Sequence, residues 1–276
     1  MLEFDLNLSK DKIPVLHHDK AFVRTCSHGR FTTDFNFKDY PPLHKEINVE
    51  FALNKDKTSQ FIYQRSDTDS KKINSLEELL QYLKKIDPEN KVWLNFEFKS
   101  AERELFHNSY ILLKQYGKLN RSIWNNSSSK EQEYLESYQK NQPKDQNDQH
   151  NLIKRCANSF DVIGLYLLYW TGLLPFTNIK FQSLQLPLMS DAYLFYKEKE
   201  HGKDSLTYKI NTWVLWFMIK TSRPLFNHLH KRGVHIMFWV ANEESDVYEL
   251  LKYDGLIDGV ITDRPQFVRQ YLESKL

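Results

Sequence analysis

The stretch VWLNFEFKS, residues 92–100, alternates apolar and polar side chains as a half-buried β-strand does. The opening stretch MLEFDLNL, residues 1–8, shows the same alternation. Successive side chains of a strand point to opposite faces, so each stretch has one apolar and one polar face. The polar faces carry Glu3, Asp5 and Asn7 in the first stretch, and Asn95, Glu97 and Lys99 in the second. We therefore predict two strands that each present carboxylates on one side.

Segments with helical periodicity separate the predicted strands. Ser75 and Glu78 have capping-box spacing just before LEELLQYLKKI, residues 76–86, which has the pattern of an amphipathic helix. Other helices are predicted at about 101–116, 131–140 and 212–232, from 243 onward and at the C-terminal end; other strands are predicted at 13–18, 122–125, 152–157, 183–188, 234–240 and 259–263. Between the second strand and Ser75 we expect irregular structure. Repeated βα units predict an α/β fold with a parallel barrel rather than an open sheet.

The composition is that of an ordinary globular protein. The chain is 41% hydrophobic and 27% charged, with a formal net charge of +2. This balance, without a basic stripe or zinc-finger spacing, argues against a nucleic-acid partner. The two cysteines, Cys26 and Cys156, are too few for a disulfide framework, and reduced thiols are expected.

The sequence predicts neither a signal peptide nor a transmembrane helix. Met1 leads directly into the first strand pattern, without a charged and then apolar leader. The longest apolar run, Val162 to Phe176, is interrupted by Gly164 and Gly172. It is also shorter than the ~20 residues that a bilayer span needs. We expect this chain in the cytoplasm or on the cytoplasmic side of endomembranes.

Three carboxylates form a candidate metal site. Glu3 and Asp5 share a strand face, and Glu97 has an equivalent position on the other strand. Carboxylate oxygens without softer ligands suit Mg²⁺ or Ca²⁺. The alternative is that Glu3 and Asp5 lie on the solvent-facing side of an edge strand.

Three further positions could contribute to a site. In HHD, residues 17–19, alternation places His17 and His18 on opposite faces, so at most one joins the carboxylates. Such a histidine could exchange protons beside a metal-bound phosphate, or be a surface residue. Lys99 is either a solvated charge or a phosphate contact, and Trp239 either a core aromatic or an apolar wall against a substrate.

The order of these motifs resembles a known family. Glu3-x-Asp5 is followed thirteen residues later by His18-Asp19, then by Asn95-x-Glu97-x-Lys99, and finally by WVANEES (239–245) and DGVITDRP (258–265). This series, over essentially the whole chain, is similar to the glycerophosphodiester phosphodiesterase family. TGLLPF (171–176) and LFNHLHKRGVHIMFWVANEE (225–244) are most similar to its animal branch with lysophospholipase D activity.

The resemblance implies a fold, a reaction and residue roles. The fold is a TIM (β/α)₈ barrel of the PLC-like phosphodiesterase type, forming a single domain over residues 1–276. The reaction is metal-dependent hydrolysis of glycerophosphodiesters or lysophospholipids to a phosphomonoester and an alcohol. The implied metal ligands are Glu3, Asp5 and Glu97 for Mg²⁺ or Ca²⁺, the catalytic residue is His18, and the substrate-binding residues are Lys99 and Trp239.

The chain departs from the family at its beginning. Members have an earlier strand bearing His-Arg, followed by Glu-Asn, and this sequence starts inside the Glu-x-Asp strand. We therefore expect an N-terminally truncated barrel that lacks the first βα unit, one catalytic histidine, an arginine and one carboxylate. The alternative function is accordingly an inactive remnant or isoform that binds lipid or a protein partner.

Two further readings concern lipid and a related class of enzyme. Two apolar stretches are candidates for lipid contact: Val162–Phe176, which includes Leu173 and Leu174, and WVLWFMI at 213–219. Both fit a lipid-tail pocket or a peripheral membrane contact. The alternative is that they pack in an outer helix ring. A relative of phosphatidylinositol-specific phospholipase C would share the barrel, but NFEFK (95–99) and WVANEE (239–244) favour the first family.

Overall fold

Strands and helices alternate over much of the chain. The computed structural model describes residues 1–26, 28–54, 56–126, 137 and 153–274. Its strands are β1 (Leu2–Leu8), β2 (Pro14–Leu16), β3 (Glu46–Leu53), β4 (Gln60–Gln64), β5 (Leu94–Phe98), β6 (Ser122–Asn126), β7 (Lys154–Arg155), β8 (Ser183–Pro187), β9 (His235–Trp239) and β10 (Gly259–Val260). Its α-helices are α1 (Leu76–Ile86), α2 (Arg103–Gln115), α3 (Ser159–Trp170), α4 (Asp191–His201), α5 (Leu206–His230), α6 (Glu244–Leu251) and α7 (Pro265–Glu273).

The chain divides into two compact units. The first unit comprises Met1–Ile47 and Gln64–Val162, and the second comprises Asn48–Tyr63 and Ile163–Leu276. The first contains a five-stranded sheet in the order β2-β1-β5-β6-β7. The second contains a three-stranded sheet in the order β10-β9-β8 and the pair β3-β4.

The two alternating stretches form neighbouring strands of the first unit. β1 and β5 are parallel, with Phe4 opposite Phe96 and Asp5 opposite Glu97. On the apolar side, the Phe4 and Phe96 rings meet edge to face with centroids 4.7 Å apart. The core on this side is formed by Leu6, Leu8, Leu80, Leu83, Phe96 and Phe98 together with other buried side chains. Burial of this apolar face fixes the register, because a one-residue slip would turn every side chain to the other side.

Helix α1 confirms the capping-box prediction. The Ser75 hydroxyl accepts a hydrogen bond from the Glu78 backbone N–H at 3.2 Å, and Glu78 Oε2 accepts from the Ser75 N–H at 2.9 Å. This reciprocal pair satisfies backbone donors that the first turn of a helix leaves without partners. Leu76, Leu80 and Leu83 are buried on one face of the helix, as the amphipathic pattern predicts.

The second unit is built around β8 and β9, which are parallel. Leu184 lies opposite Ile236, and Leu186 lies opposite Phe238. Helix α5 covers this sheet, with the Phe226 and Phe238 ring centroids 6.1 Å apart. The alternating pattern at 234–240 thus predicted a strand correctly.

Some elements differ from the predictions. The interpretation of the residues before Ser75 as irregular was wrong for 46–64, where β3 and β4 pair. Helix α4 was not predicted, and α5 begins at Leu206, where Ser205 caps it, rather than near 212. Except for residue 137, the helix predicted at 131–140 falls outside the described residues.

The apolar run at 162–176 is mostly helical. It forms the greater part of α3 and a short 3-10 turn, Leu174–Phe176. Leu173 is 53% exposed, whereas Leu174 is buried at 2%, so these two adjacent leucines have different environments. Within the described part of the chain, no helix has both the length and the apolar composition needed to cross a membrane.

Candidate active site

The carboxylates predicted from the two alternating stretches come together in the first unit. Glu3 and Asp5 lie on β1, and Glu97 lies opposite Asp5 on β5. Carboxylate oxygens of these three residues all lie within 4.8 Å of one another. The alternation of strand side chains and the parallel register together produce this cluster.

Lys99 provides a positive charge to the same cluster. Its Nζ lies 3.0 Å from Asp5 Oδ1 and 2.8 Å from Glu97 Oε1, with only 16% of its side chain exposed. Burial alone would lower the Lys99 pKa, but the charges of Asp5 and Glu97 and their hydrogen bonds raise it above its ordinary value. Lys99 is therefore a protonated, positively charged ammonium that offsets the repulsion between the carboxylates.

The three candidate ligands have the chemistry of a hard-cation site. Mg²⁺ and Ca²⁺ take oxygen ligands, and carboxylates are common among them. A cation among Glu3, Asp5 and Glu97 would also relieve the repulsion that Lys99 now offsets. The residues present therefore fit a divalent cation, held by the three carboxylates in competition with the Lys99 ammonium.

The two adjacent histidines have different environments, although β2 ends at Leu16, so the strand predicted at 13–18 is shorter and its alternation does not place them. His17 is 6% exposed. Its Nδ1 lies 2.6 Å from the Asp19 carbonyl oxygen, and its Nε2 lies 2.7 Å from Thr25 Oγ1. Because a carbonyl oxygen only accepts, Nδ1 carries the proton and Nε2 accepts from the hydroxyl. Burial lowers the pKa of His17, which favours the neutral ring, so this residue has a structural role.

His18 is the more exposed histidine and is held by an ion-paired carboxylate. Its Nδ1 lies 2.7 Å from Asp19 Oδ1, and its side chain is 44% exposed. Arg24 clamps the same carboxylate, with Nε donating to Oδ2 and Nη2 donating to Oδ1, each at 2.8 Å. Burial alone would raise the pKa of Asp19, but hydrogen bonds from His18 and Arg24 hold it well below its ordinary value. Asp19 is thus an anion that orients the His18 ring through Nδ1.

Asn7 ties the histidine segment to the carboxylate strand. It lies on β1 two residues after Asp5, and it is 2% exposed. Its side-chain amide donates to the carbonyl oxygens of His17, His18 and Asp19, at 2.8, 3.3 and 3.1 Å. The His17 backbone N–H also donates to the Asp5 carbonyl oxygen at 3.1 Å. His18 is therefore fixed to the strand that carries Glu3 and Asp5.

Trp239 belongs to the second unit, where it joins an aromatic cluster. It ends β9 and is partly buried. Its ring centroid lies 5.8 Å from that of Phe51 and 6.3 Å from that of Tyr193. Phe51 also contacts Tyr196, with centroids 4.9 Å apart. Trp239 thus forms part of an aromatic wall in this unit, a position compatible with either of its predicted roles.

Three positioning residues received no role from the sequence. Asn7, Asp19 and Arg24 form the hydrogen-bonded support of His18 described above. The sequence pattern could have identified Asn7, because it shares the polar face of β1 with Glu3 and Asp5. No periodic sequence pattern indicates the Asp19–Arg24 ion pair, because it forms across a turn.

The chain is similar to known proteins over nearly its whole length. The model of the glycerophosphoryl diester phosphodiesterase family matches residues 1–267. The chain is 27% identical to lysophospholipase D GDPD1 of Rattus norvegicus over 274 residues, covering 99% of this chain and 77% of the relative. It is also 27% identical to lysophospholipase D GDPD3 of Mus musculus over 287 residues, covering 100% and 74%.

Solved structures show the same fold. The glycerophosphodiester phosphodiesterase of Thermotoga maritima has a TM-score of 0.52 at 18% identity, covering 98% of this chain and 83% of that one. A phosphodiesterase of Oleispira antarctica, solved with the product sn-glycerol-3-phosphate, has a TM-score of 0.54 at 16% identity, covering 98% and 84%.

The chain is therefore a phosphoric diester hydrolase with the α/β TIM-barrel fold of such enzymes. It belongs to the glycerophosphoryl diester phosphodiesterase family. The similarity predicted from the motif order is confirmed, both for the family and for its animal lysophospholipase D relatives.

Proposed function

We propose that this chain hydrolyses glycerophosphodiesters and lysophospholipids in the manner of a lysophospholipase D. Water adds across the phosphodiester, the bond from phosphorus to the head-group oxygen breaks, and the products are an alcohol and glycerol phosphate or lysophosphatidic acid. The observation that carries this proposal is the cluster of Glu3, Asp5, Glu97 and Lys99 on adjacent parallel strands. The names of the curated relatives support the lipid substrate.

The proposed cofactor is Mg²⁺ or Ca²⁺, held by Glu3, Asp5 and Glu97. When bound, such a cation supplies charge stabilisation at phosphoryl oxygens. The protein's own contribution is to keep three carboxylates within 4.8 Å of one another, through the β1–β5 register. Lys99 is proposed to contact the substrate phosphate, since its charge is already directed into this cluster.

His18 is proposed as the proton-transferring residue. With Nδ1–H donating to Asp19, Nε2 is the nitrogen that takes up and releases a proton. A phosphodiester hydrolysis needs both steps, because the attacking water loses a proton and the leaving oxygen gains one. Asp19 and Arg24 keep the ring oriented through this exchange. Trp239, in its aromatic cluster, is proposed to contact the apolar part of the substrate.

The remaining expectations about organisation and location extend the proposal. A single domain is supported by the family match over residues 1–267, which includes residues of both units. The location, cytoplasm or the cytoplasmic side of endomembranes, is supported by Cys26 and Cys156, which are buried and not disulfide-bonded. Peripheral membrane contact through Val162–Phe176 is supported by the exposed Leu167, Trp170, Leu173 and Phe176.

The test is head-group release by the purified 276-residue chain. Choline release from lysophosphatidylcholine and from glycerophosphocholine is measured with Mg²⁺ or Ca²⁺, for the wild type, His18→Ala and Glu97→Gln. Glu104→Gln, an exposed carboxylate on α2, serves as the matched control. We expect activity that both site variants abolish and the control retains. A folded wild type without activity, or activity that both variants retain, would contradict the proposal.

A further inference from the structure

Two helices of the second unit expose large apolar side chains next to one another. On and after α3, Leu167, Trp170, Leu173 and Phe176 are exposed, Phe176 by 85%. On α5, Trp213 is 61% exposed and Trp216 is 44% exposed. We call these six side chains the α3–α5 surface. Scattered exposed apolar residues are ordinary, but a contiguous group of this kind marks an interaction site.

Ring contacts connect Trp170 of α3 with Trp213 of α5 through Phe217. The Trp170 ring lies 5.1 Å from that of Phe217, and Phe217 stacks on Trp213 with centroids 5.7 Å apart. Trp170 Nε1 donates to Thr221 Oγ1 at 3.3 Å, and the Tyr169 hydroxyl donates to the Thr221 carbonyl oxygen at 3.0 Å. The exposed tryptophans are therefore held by neighbouring side chains rather than extended freely into solvent.

The chain segments that form this surface carry basic side chains and no acidic ones over most of their length. Residues 162–190 and 205–242 contain neither Asp nor Glu. On α5, Lys209 and Lys220 are exposed and share one helix face with Trp213 and Trp216, because positions 209, 213, 216 and 220 follow helical spacing. The Lys220 ammonium lies 4.5 Å from the Trp216 ring centroid, and Lys209 also lies 3.9 Å from Asp204 at the start of the helix. Apolar groups bordered by lysines complement an anionic lipid surface.

We propose that the α3–α5 surface docks this protein on the face of an anionic lipid bilayer. Tryptophan is suited to the boundary between head groups and acyl chains, since its ring is apolar and its indole N–H is polar. The lysines would add attraction to anionic head groups, while the apolar side chains insert among the acyl chains. The inference adds α5 and a lipid charge preference to the proposed contact at 162–176. This inference rests on the proposed function in one respect: a protein that hydrolyses a membrane lipid must reach the bilayer surface.

The test is sedimentation of the full chain with vesicles. Binding is compared between vesicles of phosphatidylcholine alone and vesicles with about 30% phosphatidylserine, which supply an anionic surface. The apolar variants are Leu173→Glu with Phe176→Glu, and Trp213→Ser with Trp216→Ser. The charge variant is Lys209→Glu with Lys220→Glu. Matched controls come from exposed positions of the first unit, namely Ile86→Glu with Ile111→Glu, and Lys84→Glu with Lys85→Glu.

We expect each apolar variant to bind both kinds of vesicle at least tenfold more weakly than the wild type. The charge variant should lose most of the preference for phosphatidylserine, about fivefold for each lysine, and keep the weaker binding to phosphatidylcholine. The controls should bind as the wild type does. Circular dichroism confirms that each variant is folded.

The inference would be overturned by vesicle binding that is unchanged in the apolar variants, or by equal losses of binding in the controls. Dimers that the apolar variants convert to monomers, without vesicle binding by the wild type, would also overturn it. Failure of the proposed function is separate, because it concerns hydrolysis. Hydrolysis of soluble glycerophosphocholine should remain normal in the apolar variants, and vesicle binding is measured without any reaction.

Discussion

Nδ1 of His18 lies 2.7 Å from Oδ1 of Asp19. Arg24 binds both oxygens of the same carboxylate. Two charged groups in series, the Arg24 cation and the Asp19 anion, therefore set the orientation of the His18 ring. This is the arrangement expected for a proton-transferring residue that must present one defined nitrogen to a substrate.

Removing Asp19's charge should reduce catalysis through His18. We expect His18→Ala to lower kcat by about 10²–10⁴, the range for loss of an acid–base group. Asp19→Asn should lower kcat by at least about tenfold, because an amide supplies a weaker and less directional partner for Nδ1–H. In the double variant the losses should not add, since Asp19 acts through His18.

Steady-state kinetics on glycerophosphocholine measure these effects. Asp67→Asn is the control, because its carboxylate is 87% exposed and pairs only loosely with Lys45 at 3.4 Å. Additive losses in the double variant would show that Asp19 does not act through His18.

Asn7→Ala should affect both stability and catalysis. It removes the shared donor to three backbone carbonyls and leaves them in a largely buried site, at a cost of about 1–3 kcal/mol in unfolding free energy. Because two of these carbonyls belong to His18 and Asp19, kcat should also fall by about tenfold or more, as misplacement of a catalytic group predicts.

The matched control is Asn108→Ala. Asn108 donates its side-chain amide to the Lys12 carbonyl oxygen at 2.7 Å, in an exposed setting. Its replacement should cost no more than about 1 kcal/mol and leave kcat unchanged. Urea denaturation and kinetics on the same samples test both parts. Equal effects of the two substitutions on kcat would argue against a positioning role for Asn7.

Lys99→Met should strengthen cation binding while weakening catalysis. At an effective dielectric constant of about 20, two unit charges 4 Å apart interact by about 4 kcal/mol. Even with much of this screened, loss of a competing ammonium should tighten Mg²⁺ or Ca²⁺ binding by roughly tenfold, which corresponds to about 1.4 kcal/mol. Activity should nevertheless fall, because the proposed phosphate contact is gone.

Calorimetric titration with each metal separates the two effects of this substitution. Lys99→Arg, which keeps the positive charge, should leave metal affinity near that of the wild type. Unchanged metal affinity in Lys99→Met would mean that the metal ion does not compete with the Lys99 ammonium for Asp5 and Glu97.

Strand periodicity predicted the carboxylate cluster because alternation, which is local, selects the face of each side chain, and burial of the apolar faces then sets how the two strands pair. Alternation puts Glu3 and Asp5 on one side, and burial of the opposite apolar face sets the register that brings Asp5 beside Glu97. By contrast, the partners of His18 depend on a turn that brings Arg24 back to Asp19, and no sequence period encodes that turn.

Sequence analysis did not predict β3 and α4, and the physical reason differs between the two elements. Strand β3 carried an alternating signal in Ile47, Val49, Phe51 and Leu53, which the surrounding irregular composition concealed. Helix α4 has no single apolar stripe. It is held by contacts made only in the folded chain, including the Tyr196 hydroxyl, which donates to the Val49 carbonyl oxygen at 3.0 Å, and the Lys57–Asp191 ion pair at 2.5 Å.

The ion pair between Asp87 and Lys118 should make the folded state acid-sensitive in a defined interval. The two side chains are only 7% and 5% exposed, with Nζ 2.8 Å from Oδ2. Asp87 also accepts from the Lys91 and Val92 backbone N–H groups just before β5. The hydrogen bond from Lys118, followed by those from the backbone, lowers the pKa of Asp87 to about 2.

This lowered pKa fixes the sign of the pH dependence. The unfolded chain protonates Asp87 near its ordinary pKa of about 3.9, whereas the folded chain keeps it ionised to about pH 2. The pair therefore stabilises the fold fully above about pH 4, and this contribution is lost as the pH falls from about 4 to 2. Urea denaturation at successive pH values should show that the wild type loses stability faster than Asp87→Asn over this interval, so that the two proteins converge. A constant difference between their unfolding free energies from pH 7 down to the acid limit of folding would show that the Asp87 carboxylate does not carry this pH dependence.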